Sequence, residues 1–207
     1  MFLAYFELDE GAGTIFQPAL VGAHHTTTGD VFEAGIKRSW HHREIDYDDL
    51  TVVQTLQPGR LEVVRHPDFG NTSVLVKLGP DGYEADMHRE TEFYRILDGL
   101  GTTPLFLGHI TRGDRIVGFV SEYIIAEGKS AAVGTQTGRK KAACLAALRR
   151  MHANGVAHRD AHGGNCLLRE NGTAVLIDFE LSVVNPSQAQ VAKDLWVMSH
   201  TVQIEGA

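Results

Sequence analysis

The chain predicts an α+β fold in two lobes, an antiparallel sheet followed by a short, mainly helical part, and three observations carry that prediction. Between Leu50 and Leu78 three β-branched runs are separated by chain breakers. Two stretches of helical period, 81–101 and 137–154, are each stopped by glycine. After the second helix a polar loop, 156-VAHRDAHGGNCLL-168, gathers charge between two apolar runs where a plain turn would serve. At 207 residues there is enough chain for one good core, as one domain or two small lobes.

Residues 1–46 show no clear period and read as an N-terminal extension of unknown role. The opening 1-MFLAYFELDEG-11 is apolar but short, lacks a basic flank and is acidic by Glu7, so it reads as a strand rather than a secretory signal. The pairs His24-His25 and His41-His42 raise the question of a metal site. With no cysteine nearby and no settled ligand spacing, they fit solvated loop histidines better.

Strands follow at 50-LTVVQTL-56, 61-LEVVRH-66 and 73-SVLVKL-78, divided by Pro58-Gly59 and by 67-PDFGN-71, the pattern of an antiparallel meander. A helix is expected over 81-DGYEADMHRETEFYRILDGLG-101, stopped by Gly99 and Gly101. Two further strands, 104-PLFLGHI-110 and 115-RIVGFVSEYI-124, turn at Arg112-Gly113-Asp114. In the second helix Leu145, Leu148, Met151 and His152 recur at helical spacing, with Gly155 as its stop. The runs 166-CLLR-169 and 174-AVLID-178 meet at Asn171-Gly172, a strong hairpin signal, and a last helix begins near Gln188.

Composition excludes several classes. A formal net charge of −7 argues against a nucleic-acid or membrane-surface binder, which needs a basic stripe to displace counterions. No apolar run reaches the roughly 18 to 20 residues of a spanning helix. With Cys144 and Cys166 as the only cysteines, no disulfide framework is expected, and a reducing, intracellular compartment follows. Cys166 reads as a small buried hydrophobe rather than a reactive thiol.

Transfer of a phosphoryl group to a hydroxyl needs a cation on the phosphates, a carboxylate near the acceptor and oxygen ligands for magnesium. Asp160 lies in the polar loop, Asn165 five residues later, and Asp178 ends the strand 174-AVLI-177, so the hairpin brings two carboxylates and an amide to one end. Lys77 ends the apolar run 74-VLV-76, where an unpaired ammonium would be costly, so an acid is required beside it. On the following helix Met87, Glu90, Tyr94 and Leu97 share one face while Glu92 points away, which makes Glu90 the partner.

The segments 158-HRDAHGGN-165 and 176-LIDFE-180 resemble the catalytic and metal-binding loops of the protein-kinase-like superfamily, with the family's spacing between acid, amide and second acid. The resemblance covers about residues 50–200 and implies a two-lobed protein-kinase-like fold, with an N-lobe at 47–124 and an abbreviated C-lobe at 125–207. It implies ATP and Mg2+ as cofactors, Asp160 as the base or hydroxyl-orienting carboxylate, and Asn165 and Asp178 as magnesium ligands. Lys77 would hold phosphates, positioned by Glu90; His158 would pack the loop; and Asp194, in 193-KDLW-196, would anchor it. The stretch 119-FVSEYI-124 resembles the hinge, where backbone groups of Glu122 to Ile124 would meet the adenine edge. His162 is open between a phosphate contact and a loop hydrogen bonder.

The departures from the pattern are informative. Where the family has a glycine-rich loop, 55-TLQPGRLEVV-64 supplies only Gly59. Glu180 stands where protein kinases usually have glycine, and with His162 it leans towards the choline and aminoglycoside phosphotransferases; Arg159 leans towards protein kinases. Only fifteen residues separate Asp178 from Asp194, too few for an activation segment and peptide platform. A small-molecule hydroxyl is therefore the expected acceptor. The alternatives are a pseudokinase scaffold that binds nucleotide or a protein partner, and an atypical protein kinase or ATPase working in a complex. The shortened C-lobe implies a protein partner or a homodimer covering it.

Overall fold

Breakers and β-branched runs become strands much where the pattern puts them. The computed structural model describes residues 40–79, 84–125 and 133–202, all within one compact unit spanning 32–207. The expected strand at the N-terminus and the pair His24-His25 lie outside the described residues. The first part comprises β1 (Glu44–Asp46), β2 (Thr51–Gln57), β3 (Leu61–Arg65), β4 (Val74–Leu78), α1 (Glu84–Ile96), β5 (Phe106–Arg112) and β6 (Arg115–Glu122). Its strands form one sheet in the order β1-β5-β6-β4-β3-β2.

The sheet is antiparallel except at one edge, where β1 runs parallel to β5 with Ile45 opposite Ile110. This short strand falls within the stretch that sequence assigned to an extension. Three residues carry too little period to announce a strand, and its pairing depends on β5, more than 60 positions away.

Strand alternation sorts the sheet's two faces. Val74, Val76 and Leu78 of β4 join Ile45, Val64, Ile110 and Val120 in one apolar cluster. The other face carries Ile116 and Phe119 of β6 and packs on Met87, Tyr94 and Leu97 beside α1. Lys77 is out of phase with its valine neighbours and so falls on the α1 side. The predicted helical face is fully realised, Met87, Glu90, Tyr94 and Leu97 all being at most 3% exposed.

The second part is α2 (Val133–Ala153), β7 (Val156–Ala157), β8 (Cys166–Leu168), β9 (Ala174–Leu176), β10 (Val183–Val184) and α3 (Gln188–Thr201). β8 and β9 form the expected hairpin, with the Asn171 carboxamide accepting from the Thr173 amide at 2.9 Å. Ser187 and Gln190 cap α3 reciprocally, which fixes where it begins. Leu148, Met151, Leu176 and Met198 are buried in the same apolar cluster as Tyr94 and Phe119, so the helices continue the core that begins under the sheet. Each such side chain contributes about 1.5–3 kcal/mol by leaving water. No helix among the described residues is long and apolar enough to cross a membrane.

One expectation is overturned. Cys144 and Cys166 form a disulfide, with Cα atoms 6.0 Å apart. Both cysteines are fully buried, as expected for Cys166, but α2 packs directly against β8 and brings their sulfurs together. A separation of 22 residues gives no hint of this, since the contact is tertiary. Cysteine usage therefore no longer argues for a reducing compartment.

Candidate active site

The site begins with the ammonium that β4 delivers to the α1 face. Lys77 Nζ lies 2.6 Å from Glu90 Oε2, 2.9 Å from Asp178 Oδ1 and 3.0 Å from Glu180 Oε1. Glu90 was the partner expected from helical phase; Glu92 instead pairs with Arg95 in solvent. Burial works against the Lys77 ammonium, but the Glu90 and Asp178 carboxylates outweigh it and raise its pKa. Burial pushes the Glu90 carboxyl up to about 7, with Lys77 opposing the rise.

The polar loop is held from below. Asp194 of α3 is 2% exposed and accepts from the amides of His158 at 2.8 Å and Arg159 at 2.9 Å, with His152 Nε2 3.0 Å away. The buried His158 ring donates from Nε2 to the Ile177 carbonyl at 2.9 Å, which ties the loop to the residue before Asp178. Burial lowers the pKa of this imidazole, consistent with a neutral packing role. Arg159 and Asp178 sit at φ of 67° and 68°, a conformation that costs a non-glycine residue about 1–3 kcal/mol and needs surrounding support. Here the Asp194 and His158 bonds provide it.

The loop's far side rests on the end of α3. The Gly163 amide donates to Thr201 Oγ1 at 2.9 Å, and a Cβ on Gly163 would stand 2.6 Å from the Thr201 carbonyl oxygen, so only glycine fits. Asn165 donates from Nδ2 to both the carbonyl and Oδ2 of Asp160, at 3.0 and 3.1 Å, which fixes the carboxylate's orientation. His162 accepts the Gly164 amide at 3.1 Å and lies 3.6 Å from Asp160, so it bonds within the loop. Asp160 remains 44% exposed, open to an incoming group.

Ligand oxygens of Glu90, Asp178 and Glu180 lie within 4.8 Å of one another, the one group of three or more such residues among those described. The pair His41-His42 belongs to no such group; its rings stack at 4.5 Å. Carboxylate and amide oxygens are the hard donors magnesium takes, so the residues fit that ion chemically. Of the expected ligand pair, Asp178 faces Lys77, and Asn165 uses its amide nitrogen on Asp160, the amide oxygen being the atom a metal would take.

At the predicted hinge, the Glu122 amide donates to the Leu105 carbonyl at 2.9 Å, so it is occupied. Its carboxylate accepts the Leu105 amide at 3.1 Å and pairs with Arg169 through two nitrogens, one at 2.9 Å. Hydrogen bonds from Arg169 hold that carboxyl below its usual range. Ile124, by contrast, makes no backbone hydrogen bond among the described residues. A hollow of about 350 Å3 is lined by residues 122–125 and by Arg169, Glu170 and Asn171 of the hairpin.

Sequence reasoning missed three participants. Glu180 was read as a departure from the protein-kinase pattern, yet it is a third carboxylate on Lys77. Arg60, in the turn between β2 and β3, forms an ion pair with Glu180. Arg169 fastens the hairpin to Glu122 and Thr103. Only Arg60 carried a signal, being the one cation in a turn short of glycine.

No curated protein matches the chain. Residues 123–205 match the model of the Phosphotransferase enzyme family (APH), and over that stretch the resemblance read from the loops holds, aminoglycoside- and choline-kinase-like within the protein-kinase-like superfamily.

Proposed function

We propose that the protein is an ATP- and magnesium-dependent kinase that transfers the γ-phosphoryl group to a hydroxyl of a small molecule. The observation that carries this reading is Lys77 Nζ lying 2.6 Å from Glu90 and 2.9 Å from Asp178. A buried cation so placed joins the sheet to the metal-loop acid from 101 residues away. A purely structural protein gains little from that arrangement, because burying such a network is seldom favourable on balance.

In this reading the sheet and the helical part are the two lobes, with the nucleotide between them. Lys77 contacts phosphates and Glu90 keeps its ammonium charged and aimed. Ile124 offers its amide to the adenine edge, and Glu122 its carbonyl. Asp160, steered by Asn165, orients the acceptor hydroxyl and takes its proton as the oxygen attacks phosphorus. Asp178 and Asn165 hold magnesium, which when bound neutralises charge developing on the phosphoryl oxygens. The preference for a small acceptor is supported by the short return from Asp178, since Val183 already pairs with Ala157. That leaves no length for a peptide platform.

The test is a thermal-shift titration with ATP, with and without magnesium, beside Asp178→Asn. A magnesium-dependent rise in Tm that the substitution removes supports the kinase. Asp160→Asn should then abolish transfer while leaving nucleotide binding nearly intact. No shift under any condition favours the scaffold reading, for which the scarcity of glycine between β2 and β3 is the supporting observation.

A further inference from the structure

The turn between β2 and β3 has little backbone to offer a phosphate. Pro58 has no amide hydrogen, and the Arg60 amide donates to the Gln57 carbonyl at 3.0 Å. The Arg60 carbonyl is occupied too, accepting from the Leu78 amide at 2.7 Å. Only Gly59 keeps its amide. Gly59 has φ of 69° with nothing within 4 Å of where a Cβ would stand, so it serves the turn and not a close approach.

What the turn does offer is a side chain. Arg60 is pinned at its backbone, and its guanidinium reaches Glu180 Oε1, 120 residues away, the same oxygen that lies 3.0 Å from Lys77 Nζ. Two cations thus converge on one carboxylate oxygen of the metal loop. The ion pair is 27% exposed on each side, accessible to an entering ligand. If that oxygen serves a metal ion, Arg60 loses its partner and needs another anion; the phosphates are the anions the proposed reaction brings. A guanidinium offers them two parallel hydrogen bonds where a glycine loop would offer amides.

We propose that Arg60 is a side-chain ligand for the nucleotide's phosphates, replacing the missing backbone cradle, and that in the free protein it is held on Glu180. The inference rests on the kinase reading. It assigns the turn a binding role and Glu180 a second one, as the counter-ion that keeps Arg60 at the site until phosphate arrives.

The test is calorimetric titration of adenosine and of ATP with magnesium into four proteins: the natural chain, Arg60→Ala, Glu180→Gln and the double variant. Arg60→Ala should weaken ATP about tenfold, the lower range for a lost charge-assisted hydrogen bond, and leave adenosine unchanged. Unchanged adenosine binding also certifies the variant's fold, and Arg60→Gln repeats the comparison with a longer side chain. In the Glu180→Gln background the loss should persist, because phosphate contact does not need Glu180. Equal ATP affinity in Arg60→Ala overturns the proposal, as does a loss that vanishes in the double variant, which would make Arg60 only a support for Glu180. If the natural chain binds neither ligand, the kinase reading falls and this inference with it; if it binds both and Arg60→Ala changes nothing, only the inference falls.

Discussion

Reduction of the Cys144–Cys166 bridge should cost the protein much of its margin of stability. The bridge closes a loop across a sequence separation of 22 residues. The chain-entropy relation puts that closure at about 3 kcal/mol, out of a total that for most domains is about 5–15 kcal/mol. Comparing oxidised and reduced forms of one sequence keeps the core volume constant, which alanine variants would not. Both cysteines are fully buried, so reduction is done on the unfolded chain, followed by refolding in a phosphine reductant. For a chain of this size about 3 kcal/mol lowers Tm by roughly 6–12 °C. Cys166 follows Asn165 directly, so the reduced form should also lose magnesium-dependent nucleotide affinity before it unfolds. Alkylation of two thiols in the denatured, unreduced protein would refute the bridge itself. A confirmed bridge whose reduction leaves Tm unmoved would refute the loop-closure argument.

Three further outcomes follow from the geometry. Asp194→Ala leaves the buried His158 amide and the partly buried Arg159 amide without an acceptor, so urea unfolding should register a loss of about 2–4 kcal/mol, and phosphoryl transfer should fall with it. Lys77→Met should weaken ATP at least tenfold with adenosine affinity unchanged, read by the same titrations; equal ATP affinity would remove Lys77 from the phosphate site. His109 is fully buried with neither ring nitrogen hydrogen-bonded, and burial lowers its pKa to about 4. The unfolded chain then binds the extra proton, so this group's contribution is intact above about pH 6.5 and lost on acidification. Between pH 6.5 and 5 the loss is up to about 2 kcal/mol. Urea midpoints at both pH values check this, and His109→Phe should flatten the difference.

The sequence made the sheet and the loop legible for separable reasons. Breakers at Pro58-Gly59 and Asn171-Gly172 act locally, so the strands they bound could be placed to within two residues or so. Glu90 could be chosen over Glu92 because helical phase is a local property too. Contacts made across the chain were harder to read. The bridge between Cys144 and Cys166, the parallel pairing of β1 with β5, and the clamp of Arg169 on Glu122 each join segments whose approach depends on the packed core. Asp194 was found only because a motif pointed to it; nothing in 193-KDLW-196 itself tells that its carboxylate will cap two amides.

Charge balance links the features that depart from the family pattern. Around Lys77 stand Glu90, Asp178 and Glu180, and Arg60 is the second cation on the last of these. Three carboxylates against two cations make the free site acidic, a poor receptor for a polyphosphate alone. They also make it a poorer host for metal alone, because Lys77 and Arg60 already engage one oxygen of each carboxylate. In the proposed reaction each ligand removes what obstructs the other: metal takes up carboxylates and frees the two cations, while phosphates give those cations a new partner. Coupling of this kind is reciprocal, so the factor by which magnesium tightens ATP is the factor by which ATP tightens magnesium. Glycine in place of Glu180 would leave Arg60 without its acid and the free site closer to neutral, weakening that coupling. The thin turn and the extra carboxylate are therefore better understood as one arrangement, in which a side-chain cation and its counter-ion together take the part that a glycine loop plays elsewhere.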